Sequence, residues 1–304
     1  MIFSNTGLVA ENFYVLGDAH FPAYLFDGPE PVIFEAGVTA AGKLYENEIR
    51  AILGERQPKY LFITHVHWDH CGAVSYLKSI FPSLMVAASG KAREILSRNS
   101  AQKLMTDLNR YAESIIASTV TVNPSLVLHE EFRPFTIDLT VYDGQVIKFA
   151  GNNTIEVIAT PGHTRDLMSY YIPEKKVLVT SEAAGCLDSN NKIIPEFLAD
   201  YDAYMASLKR LSELEAEVLC QGHRLVFTGK DEVAEFLSRS IADTEIFAKK
   251  IFRFFSEEDG SIERVVSRVK REDYDTINGV KQPETPYLIN LHAQIAHLAG
   301  KYKK

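Results

Sequence analysis

Within Thr64-His65-Val66-His67-Trp68-Asp69-His70, three imidazoles and one carboxylate fall inside six positions. Neutral imidazole is the commonest protein ligand for a transition metal, and a carboxylate beside it suits a divalent cation. Packing alone explains such a run poorly, because each buried ring would need its own polar partner. Zinc, iron and manganese all accept these ligand types. The run therefore points to a bound divalent cation.

The elements on either side must hold this run in place. Tyr60-Leu61-Phe62-Ile63 is a compact apolar stretch with the character of a buried strand, and after Gly72 the apolar residues Ala73, Val74, Leu77, Ile80 and Phe81 follow a helical pattern. The motif therefore sits at a strand end before a helix start, where α/β folds usually place their chemistry. Upstream, strands are predicted at 13–16, 23–26 and 31–35, then a helix with Leu44, Ile49, Ile52 and Leu53 on one side. A further strand is predicted at 84–88. From Gly90 to about Ala117 the pattern is helical and long for a connection, as an insertion flanking the site would be, whereas 119–135 carries little regular pattern. Strands resume at 139–142, 145–149 and 154–159, a hairpin follows at 169–172 and 176–180, then a helix at 202–211 and a short strand at 217–220. Two groups of strands, each followed by helices, predict an α+β fold: a four-layer αβ/βα sandwich, two sheets face to face with helices outside. From Thr228 the character changes to three apolar helical patterns, around Val233 to Phe255, Ile262 to Val269 and Leu288 to Leu298. The domain reading is 1–227 for the metal-binding hydrolase domain and 228–304 for a C-terminal helical appendage.

Further ligand-type residues stand singly at other strand ends: His163 in Thr160-Pro161-Gly162-His163, Glu182 in Val179-Thr180-Ser181-Glu182, and His223 in Gln221-Gly222-His223. They converge on the motif if the strands are neighbours. His65-x-His67-x-Asp69-His70, then His163, the acid at 182 and His223, in that order, resembles the metallo-β-lactamase fold superfamily over about residues 8 to 228. The resemblance implies two divalent transition metal ions per chain, zinc or iron with manganese also suited. His65, His67 and His163 would hold the first, Asp69, His70 and His223 the second, and residue 182 would bridge them. It also implies a hydroxide shared by two metals about 3.5–4 Å apart, with Asp69 and Glu182 as the catalytic acids. One position departs from the family, which has aspartate where this chain has Glu182, so an extra methylene has to be absorbed. His67 occupies the slot where flavodiiron oxidoreductases carry glutamate, which favours hydrolysis over redox chemistry.

Ile63-Thr64-His65, Asp69-His70-Cys71-Gly72, Glu182-Ala183-x-Gly185 and Tyr204-x-x-Ser207-Leu208-x-Arg210-Leu211 further resemble the quinolone-signal response thioesterase branch, whose appended helices cover the active site. The resemblance implies cleavage of a small ester or thioester. Phosphodiester hydrolysis is the alternative within enzymes, and a metal-bearing regulatory protein acting through protein contacts is the alternative outside them. The appended helices would either cover the site or form a homodimer face.

Composition narrows the partners. The formal net charge is −8 and no basic run beyond a short tail at 301–304 is present, which disfavours nucleic acid. Cys71, Cys186 and Cys220 are odd in number and widely spaced, so a disulfide framework is not expected and a reducing compartment is. They fit small buried positions better than ligand positions. No signal-peptide pattern opens the chain and no stretch approaches the roughly 18 apolar residues of a membrane span. A cytoplasmic protein without membrane partners is therefore expected. His20, His129, His292 and His297 have no motif support, and the role of Trp68 is open.

Overall fold

Side-chain alternation along a row of neighbouring strands organises this fold. The computed structural model describes residues 2–3, 6–119, 123–149, 151–188, 191–224, 226–277 and 281–302. Its strands, in chain order, begin with β1 (Ile2–Phe3), β2 (Gly7–Ala10), β3 (Phe13–Asp18), β4 (Phe21–Phe26) and β5 (Val32–Phe34). Helix α1 (Gly42–Leu53), β6 (Tyr60–Phe62), the one-turn α2 (Trp68–Cys71), α3 (Val74–Ile80) and β7 (Met85–Ser89) follow. Next come α4 (Gly90–Leu96), α5 (Asn99–Ser118), β8 (Leu139–Val141), β9 (Val146–Phe149), β10 (Asn153–Ala159), β11 (Met168–Ile172) and β12 (Val177–Val179). The chain continues with β13 (Cys186–Leu187), β14 (Ile193–Ile194), α6 (Tyr201–Ser212), β15 (Val218–Cys220) and β16 (Val226–Thr228). Three helices close it: α7 (Lys230–Glu257), α8 (Ile262–Val269) and α9 (Glu284–Tyr302).

Contacts divide the chain into two units. The first holds Met1–Ala159, Asp166–Ser181 and Glu215–Val233; the second holds Thr160–Arg165, Glu182–Leu214 and Ala234–Lys304. The helical tail from Ala234 belongs to the second unit, with Thr160–Arg165 and Glu182–Leu214.

In the first unit, one seven-stranded sheet has the order β2-β3-β4-β5-β6-β7-β8 and the other β1-β16-β15-β12-β11-β10-β9. Strands β5 to β8 run parallel, as buried apolar runs joined by helical crossovers do. Along β4 to β7 the pleat separates two sets. Ala23, Leu25, Ile33, Leu61 and Val86 join the cluster that also contains Leu44, Ile49, Val74, Leu77 and Ala112 from α1, α3 and α5. Tyr24, Phe26, Val32, Phe34, Phe62 and Ala87 join Val157, Tyr170, Val179 and Val218 of the other sheet. Rings Phe34, Phe62 and Tyr170 meet in this inter-sheet layer at centroid distances of 5.0 to 5.8 Å. Each fully buried ring of this kind is worth roughly 1.5–3 kcal/mol relative to exposure. Tyr170 lies there because its hydroxyl finds the Ile63 carbonyl at 2.8 Å.

Three readings shift. Strand 139–141 pairs parallel with β7 and belongs to the first sheet, so the division between sheets falls after it. The helical segment from 90 breaks after Leu96, and α4 is capped by Ser89, whose hydroxyl accepts the Ala92 N–H. Within 123–135, the one regular piece among the described residues is a 3-10 turn at Pro124–Leu126; residues 120–122 lie outside the described residues.

The second unit has its own apolar centre. Phe197 packs edge-on against Tyr201 and Phe247, at 5.2 and 6.0 Å. Asp200 caps α6 by accepting the Ala203 N–H, and His297 of α9 accepts the Tyr201 N–H through Nε2 at 3.1 Å. Helix α9 packs on α8 and α6. Among the described residues no helix is long and apolar enough to cross a membrane.

Candidate metal centre

Strand β6 ends at Phe62, and the chain then turns through 63–67 into α2. Two buried carboxylates fix this turn: Glu35 Oε1 accepts the Thr64 N–H at 2.9 Å, and Asp166 Oδ2 accepts the Val66 N–H at 2.9 Å. The loop after β5 ties α2 down from the other side. Ala36 N–H donates to the His70 carbonyl, and Gly72 N–H donates to the Gly37 carbonyl at 2.7 Å. From α5, Asn109 donates to the Trp68 carbonyl at 3.1 Å and accepts the Thr39 N–H at 2.8 Å. Gly72 is required by this approach: a Cβ there would sit 2.4 Å from Asn109 Oδ1 and 2.6 Å from Thr39 N.

The motif rings gather as a result. His65 and His67 have centroids 4.5 Å apart, and His65 and His70 4.4 Å apart. His223, just past β15, comes to 5.3 Å from His70, ring centre to ring centre. Asp69 stands between the last two. Its Oδ1 is 3.8 Å from His70 Nε2 and its Oδ2 is 3.6 Å from His223 Nε2. One ligand atom from each of Asp69, His70 and His223 lies within 4.8 Å of the others. His70 is buried, whereas His223 and Asp69 are partly open.

The donor set fits a cation. His70 Nδ1 is 2.7 Å from Glu35 Oε2, His223 Nδ1 is bonded to the His20 carbonyl, and His65 Nδ1 is 3.0 Å from Thr64 Oγ1. An imidazole whose Nδ1–H is engaged by an acceptor presents Nε2 as a metal ligand, with the tautomer and ring plane already set. For His70 and His223, Nε2 is the atom that faces the Asp69 carboxylate.

Three residues around this cluster carry strained backbone. Glu35 (φ 65°), Ser181 (φ 51°) and Arg224 (φ 67°) are non-glycine residues in the left-handed region. Glu35 bonds His70, Ser181 Oγ lies 3.4 Å from His70 Nδ1, and Arg224 follows His223. Such backbone is retained where the surroundings over-determine it.

In the second unit, His163 is buried and its Nδ1 is 2.7 Å from the Glu196 carbonyl, the same Nδ1 anchoring seen in the first unit. Its turn is tight: Gly162, at φ +138°, accepts the Ala199 N–H through its carbonyl, and a Cβ on it would lie 2.4 Å from Tyr204 Cα. Glu182 is buried in a 3-10 turn, Ser181–Ala184.

The cysteines remain free thiols. Burial pushes the Cys71 thiol well up, reinforced by Glu35, Asp69 and Asp166, and its Sγ donates to the His67 carbonyl. The Cys220 thiol is likewise raised by burial. Trp68 packs edge to face on Phe21 at 5.9 Å, and Phe21 meets the His223 ring at 6.3 Å. Sequence reasoning missed Glu35, Asp166, Asn109 and the His20 carbonyl. Each acts on a residue at least 29 positions away, and a lone acid in a loop or a lone amide on a helix carries no spacing signal.

Residues 22–223 match the family model of the metallo-beta-lactamase superfamily, so the chain belongs to that superfamily. Its members are mostly metal-dependent hydrolases. A metallo-beta-lactamase fold-containing protein of Sulfurisphaera tokodaii is 28% identical over 196 residues, 62% of this chain and 68% of that protein. An atrochrysone carboxyl ACP thioesterase of Aspergillus fumigatus is 23% identical over 221 residues, 72% of this chain but only 52% of its own length. Among solved structures, an archaeal metallo-beta-lactamase superfamily protein from Sulfolobus tokodaii superposes with a TM-score of 0.57 at 18% identity, covering 97% of this chain and 99% of its own. That likeness bears on the fold.

Proposed function

We propose that this protein is a dinuclear metal hydrolase that cleaves a small ester or thioester. The carrying observation is the Asp69–His70–His223 cluster, with both imidazoles anchored at Nδ1 so that Nε2 faces the carboxylate. In this reading Asp69, His70 and His223 hold one cation, zinc or iron with manganese also suited. His65, His67 and His163 would hold a second, and Glu182 would serve as a ligand shared by both. The anchoring of His163 at Nδ1 supports its place in the set. Support for Glu182 comes from its neighbour Ser181, whose hydroxyl lies beside His70.

When bound, the cations supply Lewis acidity and an activated water at neutral pH. The chain supplies the rest. Glu35 and Thr64 keep His70 and His65 in the tautomers that bind metal. Asp69 brings negative charge between two rings, and its carboxylate would orient a water by accepting one of its hydrogens. Trp68 and Phe21 form an aromatic wall beside His223, suited to the apolar part of an acyl group. The thioesterase character of the fungal relative supports the substrate class.

Metal analysis of purified protein, with turnover on thioester, ester and phosphodiester panels, tests this. Two equivalents per chain are expected, falling to one in His223→Ala and in His163→Ala, with thioester or ester turnover lost in both. Two equivalents retained in both variants would remove these residues from the ligand set.

A further inference from the structure

We infer that Asp18 is a positioning residue for His223, acting through the two-residue turn that joins β3 to β4. The inference deepens the reading of His223 as a metal ligand and rests on it for its metal arm. Asp18 closes β3 opposite Phe21, leaving Ala19 and His20 as the turn. The carboxylate is buried, and its Oδ1 accepts two bonds, from the His20 N–H at 2.8 Å and from the His20 ring at 2.7 Å. Both carbonyls of the turn are thereby turned toward one segment. The Ala19 carbonyl accepts the Arg224 N–H, and the His20 carbonyl accepts from His223 Nδ1. One acid thus sets the acceptor that fixes the ring of a residue 205 positions along the chain.

The surroundings make the turn rigid. Gly17 N–H donates to Glu48 Oε2 at 2.6 Å and the Tyr45 hydroxyl donates to the Phe21 carbonyl at 2.6 Å, so α1 holds both strands flanking the turn. Gly17 has φ +87° and no room for a side chain, since a Cβ would lie 2.3 Å from the Tyr45 ring. Burial pushes the Asp18 carboxyl upward, but the His20 ring and backbone N–H bonds outweigh it and hold the carboxyl below its usual range. With its flanks pinned, the turn has one adjustable part, the peptide of His20, and Asp18 sets it. A backbone carbonyl acting this way does for His223 what the Glu35 carboxylate does for His70.

The test compares wild type, Asp18→Ala and Asp18→Asn. In metal-free protein, nitrogen NMR of the imidazoles reads the His223 tautomer; in metal-titrated protein, competition with a chromophoric chelator reads zinc affinity. Wild type is expected to carry its proton on His223 Nδ1. Asp18→Ala should mix the tautomers and weaken the second zinc equivalent by about 10–100-fold while sparing the first. Asp18→Asn keeps an Oδ1 acceptor for both bonds and should restore most of the affinity. A wild-type His223 protonated at Nε2 overturns the inference without any variant, so failure of Asp18→Ala to fold does not protect it. An unchanged His223 tautomer in folded Asp18→Ala also overturns it. A tautomer change with no second zinc equivalent even in wild type upholds the positioning role and refutes the two-metal reading instead.

Discussion

Glu35→Gln should weaken metal binding at His70 by roughly 5- to 150-fold while leaving the fold intact. The carboxylate is 1% exposed and makes two bonds of opposite consequence, accepting the Thr64 N–H through Oε1 and the His70 ring through Oε2. Glutamine matches its shape but has one oxygen and one NH2. The Thr64 N–H has to meet the oxygen, because two donors face to face would leave a buried N–H unsatisfied at a cost of about 1–3 kcal/mol. The NH2 is then forced onto His70 Nδ1, which must become an acceptor. The ring proton moves to Nε2, the atom the cation needs. Recovering the binding tautomer brings the two donors together, so the same penalty of about 1–3 kcal/mol, or roughly 5- to 150-fold, appears as lost affinity. Isothermal or chelator-competition titration measures it, with a thermal melt as the control for folding. Glu35→Gln that folds and binds its full metal complement with wild-type affinity would refute the reasoning.

Other expectations follow from the same structure. Burial raises the Glu48 carboxyl to about 7, against the bond it receives from Gly17 N–H. Because the folded state holds the proton more tightly, its stabilising effect is present at low pH and is lost as pH rises from 4.5 to about 7. Denaturant melts should therefore show wild type losing roughly 3 kcal/mol relative to Glu48→Gln between pH 4.5 and 8, at 1.36 kcal/mol per unit; parallel pH profiles would count against it. Gly162→Ala should destabilise the second unit by about 2 kcal/mol or more, since the new Cβ meets Tyr204 backbone at a positive φ. Proteolysis rates within 182–214 would report it. Tyr170→Phe removes the hydroxyl from the buried Ile63 carbonyl and should cost about 1–2 kcal/mol in urea melts, with zinc stoichiometry unchanged.

The candidate ligand run at 65–70 was the most legible feature of the chain, because three imidazoles and an acid stand together directly after an apolar strand. The parallel strands β5 to β7 were legible for a related reason, as short continuous apolar runs buried on both faces. The sheet assignment of β8 was not. Leu139-Thr140-Val141 carries no mark of its partner, and its place beside β7 depends on how α4 and α5 cross over. Nor did composition reveal that 160–165 and 182–214 would group with the tail, since that grouping follows from packing among Phe197, Tyr201 and Phe247 rather than from any boundary in the chain. The supporting residues Glu35, Asp166 and Asn109 look like ordinary loop or helix polar groups until their distant partners are seen.

The fit between Asn109 and Gly72 limits how freely the long α4–α5 segment can be exchanged. That insertion has the look of a removable module, yet its one buried amide braces both the motif helix and the loop at Thr39. A graft of residues 90–118 from a relative would have to bring an amide at the same depth, and the host would have to keep its glycine. Where either is missing, the histidine turn loses a brace that no neighbouring side chain duplicates among the described contacts, and shuffled libraries should show positions 72 and 109 surviving together or not at all.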